Sequence, residues 1–396
     1  MRWPLPVMAA GTMTVALVLQ MTRPVPEPTL AITVPEVVTA PGVPPALPWP
    51  AQGEAAVSVP EAGFLRPSAP EVPVPVASLT KMMTAYLVLR DHPLDATAPG
   101  PTVTMTAADQ QDAANDARAN ATSIPVVAGA TFTERQLLDA LLVHSANDVA
   151  DALARWDAGS APNFVAKMNA TARALGMNAT RYVDPSGIDA ADVSTAADQL
   201  RLADMAMSIP TFATVVAQPA VTIPGAGLLS NYVPAVGTDG VVGVKSGFTQ
   251  AAMGCVVLAA QRQVAGRQVL VLAAVTGQQG FDAIRAADKA AIALADAVAS
   301  GLSVQTLVPA ATKVGSVTVP WYRHKAAVTT SGAVQAVVWP GTRWSTSLQP
   351  RRVNGRVRAG DQVATLTVSD GTRRFSVHLL TTTGLPGPSL HWQLEH

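Results

Sequence analysis

Residues 77–84 read Ala77-Ser78-Leu79-Thr80-Lys81-Met82-Met83-Thr84. They are expected to open a helix that starts at or near Ser78, runs to about Arg90 and is stopped by His92-Pro93. A spacing of i, i+3 puts Ser78 and Lys81 on one helix face, within side-chain reach. A serine hydroxyl is a weak nucleophile and needs a base. A lysine can serve once desolvation or a second cation lowers its pKa. Backbone N–H groups at the helix start lie where an oxyanion would form. Alone, the pair is common by chance: an N-cap serine followed by a surface lysine reads the same way.

Two further motifs follow. Leu142-Val143-His144-Ser145-Ala146-Asn147-Asp148 interrupts a helical pattern running over Gln136–Trp156. The Ser145 hydroxyl could relay a proton between Lys81 and a leaving amine, and the Asn147 amide could bind a substrate carbonyl or hold Lys81. An ordinary helix break with a capping residue is the plainer alternative. Gly243-Val244-Lys245-Ser246-Gly247-Phe248-Thr249 stands at the end of a strand. Lys245 with the hydroxyls of Ser246 and Thr249 suits a carboxylate, and Gly247 lets a substrate backbone approach closely. Its alternative is a polar turn after a strand. The motifs occur in one order, 67 residues from Ser78 to Ser145 and 100 from Ser145 to Lys245. Jointly they are a strong signal for acyl transfer through Ser78.

The surrounding pattern is strands at both ends with helices between. Short strands are expected over residues 54–59 and 63–65, and helices over 163–175 and 196–207. Strands are then expected over 241–244, 254–260 and 269–275, with a final helix over 281–299. This predicts an α/β (α+β) domain in which helices flank an antiparallel sheet. Beyond Gly301 helical periodicity fades. Thr365–Val368 and Phe375–Leu380 read as a hairpin turning at Asp370-Gly371. The expected organisation is a signal or anchor over 1–23, a Pro-rich linker over 24–48, a serine peptidase domain over 49–304 and a small β-rich domain over 305–396. Arg2, the apolar run Trp3–Met21 and Arg23 form the targeting segment, weighted slightly toward an uncleaved anchor because no small-x-small cleavage site follows the apolar core. Pro24–Pro50 contains nine prolines and reads as an extended spacer.

The chain has 396 residues, with 27 basic and 27 acidic side chains. That balance lacks the basic excess of a nucleic-acid binder, and a strong pull toward anionic lipid is not indicated. The single cysteine, Cys255, lies in an apolar run and reads as a core residue. No Cys/His cluster has metal-ligand spacing, so neither metal nor cofactor is expected.

The ordered set Ser-x-x-Lys, Ser-x-Asn, Lys-Ser-Gly is that of serine β-lactamases and penicillin-binding proteins. Over about Trp49 to Ser300 the chain resembles the low-molecular-weight D-alanyl-D-alanine carboxypeptidases of the S11 peptidase family. Ser78-Leu79-Thr80-Lys81-Met82-Met83-Thr84 carries the likeness. So do Asp184-Pro185-Ser186-Gly187-Ile188-Asp189, Ser194–Asp198 and Ser230-Asn231. The resemblance implies a β-lactamase/transpeptidase-like fold, Ser78 as nucleophile, Lys81 as base and Ser145 as proton relay. Asn147 and Lys245 would complete the polar network. Ser246 and Thr249 would bind the terminal carboxylate, and the N–H groups of Ser78 and Phe248 would form the oxyanion hole. It also implies peptidoglycan stem peptides as substrate, β-lactams as covalent inhibitors, and an extracytoplasmic, membrane-attached or secreted protein. Departures are Ser246 for the usual threonine, Ser186 where histidine is frequent, and a C-terminus without a basic amphipathic helix, which points to the N-terminal segment as the attachment. A β-lactamase of class A needs a glutamate between the second and third motifs, and residues 146–244 contain none. A silent peptide-binding relative would be expected to lose Ser78 or Lys81, and both are present.

Overall fold

In the computed structural model, residues 20, 24–69, 72–353 and 356–396 are described. The targeting segment read over 1–23 lies, apart from Gln20, outside them. Among the described residues no helix is long and apolar enough to cross a membrane.

Residues Pro44–Leu302 form one compact unit. Its main elements are β1 (Ala55–Val59), β2 (Phe64–Pro67), α1 (Lys81–Asp91), α2 (Ala107–Arg118), α3 (Glu134–Leu142), α4 (Asn147–Ala158), α5 (Ala161–Ala174), α6 (Ala196–Met207), α7 (Pro210–Val216), β3 (Val241–Thr249), β4 (Met253–Val264), β5 (Arg267–Gln278) and α8 (Ala283–Gly301). The sheet order is β3-β4-β5-β1-β2, antiparallel throughout. Strands β4 and β5 are long runs rich in Val, Leu and Ala, buried along most of their length, as expected where helices cover a sheet. Helix α8 packs on β4 and β5 through Ala283, Ala287, Ala291, Leu294, Ala295 and Val298, a stripe at helical spacing. Small side chains let the two backbones close in: a Cβ on Gly254 would lie 2.2 Å from the Ala283 carbonyl oxygen. Helix α1 is different. Every residue from Lys81 to Leu89 is buried, so it is a central helix with no solvent face.

Two helices of this unit have no counterpart in the sequence reading. Helix α2 begins with a capping box between Thr106 and Asp109. Helix α7 carries Pro210 in its first turn, where a missing N–H costs nothing.

Ser303–His396 and the described residues up to Val43 form the second unit. Seven strands make its main sheet. Thr29–Ile32 pairs with Lys313–Val319 at one edge, and Val37–Thr39 pairs with Arg343–Pro350 at the other. The Pro24–Pro48 stretch is therefore not a free spacer, and folded structure begins well before Trp49. The reason is where the prolines fall: Pro28, Pro35 and Pro41 bracket two proline-free runs at sheet edges, where one side of the strand needs no partner. Only residues 33–36 join the two edge strands, so the sheet must curl until its edges lie within about five residue lengths, roughly 18 Å. The expected hairpin is present as Gln362–Ser369 and Arg374–Thr381, and buried Trp344 lies against the Arg373 guanidinium, 4.4 Å from the ring centroid.

Candidate active site

Ser78 lies in a short 3-10 turn, Ala77–Thr80, that runs directly into α1. Ala77 has φ +49°, a left-handed conformation that costs a non-glycine residue on the order of 1–3 kcal/mol. One turn later Lys81 is completely buried. Its Nζ lies 2.9 Å from Ser78 Oγ, 2.6 Å from Asn147 Oδ1 and 2.8 Å from the Ser186 carbonyl oxygen. Burial lowers the Lys81 pKa to about 8, against the opposing pull of Asp184, Asp116, Asp151 and Asp148. Two of the three partners are uncharged acceptors, the amide oxygen of Asn147 and a backbone carbonyl. A neutral amine can donate to both and turn its lone pair toward the Ser78 hydroxyl.

Ser145 stands in the break between α3 and α4, at φ +68° and 5% exposed. The next residue but one, Asn147, opens α4 and reaches Lys81. The helical pattern over 136–156 is thus two helices, and the break between them delivers Asn147 to the lysine. His144 stacks on Tyr232, ring centroids 5.2 Å apart.

The third motif fills β3 to its last residue, Thr249, so the strand runs on past the expected 241–244. A Cβ on Gly247 would lie 2.8 Å from the Ser78 backbone nitrogen, so only glycine lets this strand pass beside the Ser78 turn. Lys245 is buried and donates to the Ser246 carbonyl at 3.0 Å. Burial, and then the charge of Lys81, depress its pKa well below the usual lysine range. Ser246 donates its hydroxyl to the Tyr232 carbonyl at 2.6 Å. The Thr249 hydroxyl oxygen accepts from the Ala252 N–H at 3.0 Å, which leaves its own proton to donate. Phe248 is half exposed beside them.

A third wall was legible only by resemblance. In 184–189, Asp184 Oδ1 accepts from the N–H groups of Ser186 and Gly187, both at 2.6 Å, and Oδ2 accepts from the Asp189 N–H at 2.8 Å. This loop presents the Ser186 carbonyl to Lys81. It is stapled to the Ser78 turn and α1 by Thr80 Oγ1 donating to Asp192 Oδ2 at 2.9 Å and Thr84 Oγ1 donating to the Pro185 carbonyl at 2.6 Å. Gly187, at φ +84°, faces the Ala77 carbonyl with no room for a side chain. Asp192, Thr80 and Thr84 are positioning residues that motif reading passed over. The signal of the two threonines, hydroxyls in an otherwise apolar buried segment, is visible only once burial is known.

Asn231 donates to the Val216 and Gln218 carbonyls, so it braces the chain ahead of β3. Cys255 is buried in the core, its thiol pushed up to about 11 by burial. Among the described residues no group of three or more His, Cys, Asp or Glu side chains could hold a metal ion.

The D-alanyl-D-alanine carboxypeptidase DacB2 of Mycobacterium tuberculosis is 35% identical over 204 residues, which is 50% of this chain and 65% of that protein. The D-alanyl-D-alanine endopeptidase of Pseudomonas aeruginosa is 37% identical over 134 residues, 34% of this chain and 40% of its own. The chain thus spans less than two thirds of either relative. The crystal structure of a peptidoglycan synthesis regulatory factor (PBP3) from Streptococcus pneumoniae has the same fold, with a TM-score of 0.64 at 21% identity over 85% of this chain and 99% of that one. The model of the S11 peptidase family, described as D-alanyl-D-alanine carboxypeptidase, matches residues 63–279, more than half of the chain. With Ser78, Lys81, Asn147 and the Lys245-Ser246-Gly247 strand drawn together inside that span, the chain belongs to the S11 peptidase family.

Proposed function

We propose that the protein is a serine-type D-Ala-D-Ala carboxypeptidase that removes the terminal D-alanine of peptidoglycan stem peptides through an acyl-enzyme on Ser78. The observation that carries this reading is the buried Lys81 amine 2.9 Å from Ser78 Oγ, held by two uncharged acceptors. Neutral Lys81 takes the Ser78 proton as Oγ attacks the scissile carbonyl. The developing oxyanion is met by the N–H groups of Ser78 and Phe248. Ser145 passes the proton to the leaving D-alanine. Water then hydrolyses the ester, regenerating Ser78, and β-lactams acylate the same oxygen. The work is extracytoplasmic, where the substrate is, and the apolar segment 1–23 directs export and attaches the chain to the membrane.

Choice of a C-terminal residue is assigned to Lys245, Ser246 and Thr249. Burial, and then the charge of Lys81, lower the Lys245 pKa, and a bound carboxylate would oppose that shift and favour the charged amine. Thr249 has a hydroxyl proton to give, and Ser246 must exchange its bond to Tyr232. A charge-assisted hydrogen bond contributes about 1.5–3 kcal/mol. Peptides ending in free D-Ala-D-Ala should therefore exceed the same peptides with an amidated end by about tenfold or more in kcat/KM. Thr249→Val should narrow that ratio. Equal rates on free and amidated ends in the wild type would turn the assignment toward an endopeptidase.

A further inference from the structure

The balanced charge of the chain conceals a segregation. Residues 44–302 hold 15 Lys/Arg and 22 Asp/Glu, whereas residues 303–396 hold 10 and 3. Four of those ten, Arg351, Arg352, Arg356 and Arg358, with Asp361 and Gln362, line an open groove of about 630 Å³ on the C-terminal unit. All four arginines are exposed. Arg351 donates to Gln362 Oε1 at 3.1 Å, and Arg352 lies 3.4 Å from Glu27. Asp361 turns one oxygen to the Arg358 backbone N–H at 2.7 Å. Among the described residues no carboxylate forms a salt bridge with the guanidinium of Arg351, Arg356 or Arg358. The fold holds these cations close together and leaves most of their charge to solvent.

The groove continues into a second hollow, where Arg351, Arg352 and Val353 meet Glu27, Pro28 and Leu30. That is where the chain enters the unit, a few residues after the apolar run Trp3–Met21 and Arg23. An arginine cluster beside the root of an apolar segment is the arrangement that meets phospholipid headgroups, whose phosphodiesters accept guanidinium hydrogen bonds in pairs. We propose that the C-terminal unit docks on an anionic lipid surface through Arg351, Arg352, Arg356 and Arg358. The overall neutrality read from composition hides this surface because the catalytic unit carries the compensating negative charge.

The test uses the full chain and two vesicle preparations, one of phosphatidylcholine and one of equal parts phosphatidylcholine and phosphatidylglycerol. The apolar segment contributes to both, so the ratio of the two affinities reports the headgroup. At low salt the ratio should be at least about tenfold and should fall as ionic strength rises. Replacing the four arginines (Arg351→Gln, Arg352→Gln, Arg356→Gln, Arg358→Gln) should bring it within about twofold of unity with neutral-vesicle binding unchanged. A wild-type ratio near unity, or one insensitive to salt, overturns the proposal whatever the variant does. So does a folded variant that keeps the ratio. Soluble polyglycerol phosphate is the third arm: if it binds the wild type and not the variant while anionic vesicles gain nothing, the groove reads a soluble polymer and the membrane assignment falls.

Discussion

Lys81 meets Ser78, Asn147 and Ser186 from inside a helix with no exposed face, and its chemistry follows from that burial. A lysine in water is charged and cannot accept a proton. At a pKa of about 8, roughly a tenth of the molecules carry a neutral amine at pH 7. If neutral Lys81 is the base, as proposed, kcat/KM should rise about tenfold per pH unit below 8 and level off above it. Lys81→Arg keeps the charge and cannot deprotonate, so acylation should fall by at least about a hundredfold with the fold intact. Near-normal acylation of that variant by a fluorescent penicillin would show that the residue acts through charge alone. At this scale the sequence was most informative. Side chains proposed for chemistry must be of particular types at particular spacings, so Ser78, Lys81, Ser145, Asn147 and Lys245 stood out as candidates. Asp192 and Thr80 did not, because their role is to hold a loop, and a buried Asp–Thr hydrogen bond between residues 112 apart has no local signature.

The three elements of the site are brought together by close backbone approach. Strand β3 passes the Ser78 turn at Gly247, and the 184–189 loop meets Ala77 at Gly187. A Cβ at Gly187 would stand 1.9 Å from the Ala77 carbonyl oxygen and would impose φ +84° on a side chain. Gly187→Ala should therefore cost at least about 1–3 kcal/mol of stability. It should also slow acylation by tenfold or more, because the Ser186 carbonyl that holds Lys81 moves with the loop. Thermal unfolding and the acylation rate constant, measured on one preparation, check both. If the melting temperature falls and the acylation rate does not, the loop is structural only. Element type was legible wherever periodicity was strong: helix Ala196–Met207 and the three long strands lie where their Val, Leu and Ala patterns put them. Extent was less so. The Lys245-Ser246-Gly247 motif looked like the end of a strand because polar residues usually mark one, yet the ladder with β4 runs on through Thr249. Pairing with a neighbouring strand outweighed local polarity.

At the scale of the molecule, the chain returns to where it began: both edges of the C-terminal sheet come from residues before 40. No local pattern announces this, since edge strands of three and four residues between prolines look like linker. Deleting residues 24–43 would expose two strand edges and part of the cluster that contains Ala40, Val314 and Trp344. We expect the C-terminal unit to lose its cooperative unfolding transition in calorimetry, while the Pro44–Leu302 unit keeps its own and still binds penicillin. Loss of both transitions together would mean the two units fold as one. Ser78 Oγ as the acylated oxygen is the central proposal. The direct measurement is to trap the full chain with a penicillin, digest it and locate the added mass by peptide mass spectrometry, with Ser78→Ala alongside. The prediction is a single acylated peptide carrying Ser78 and no label on the variant. Label on another residue, or wild-type labelling of Ser78→Ala, would contradict the account at its centre.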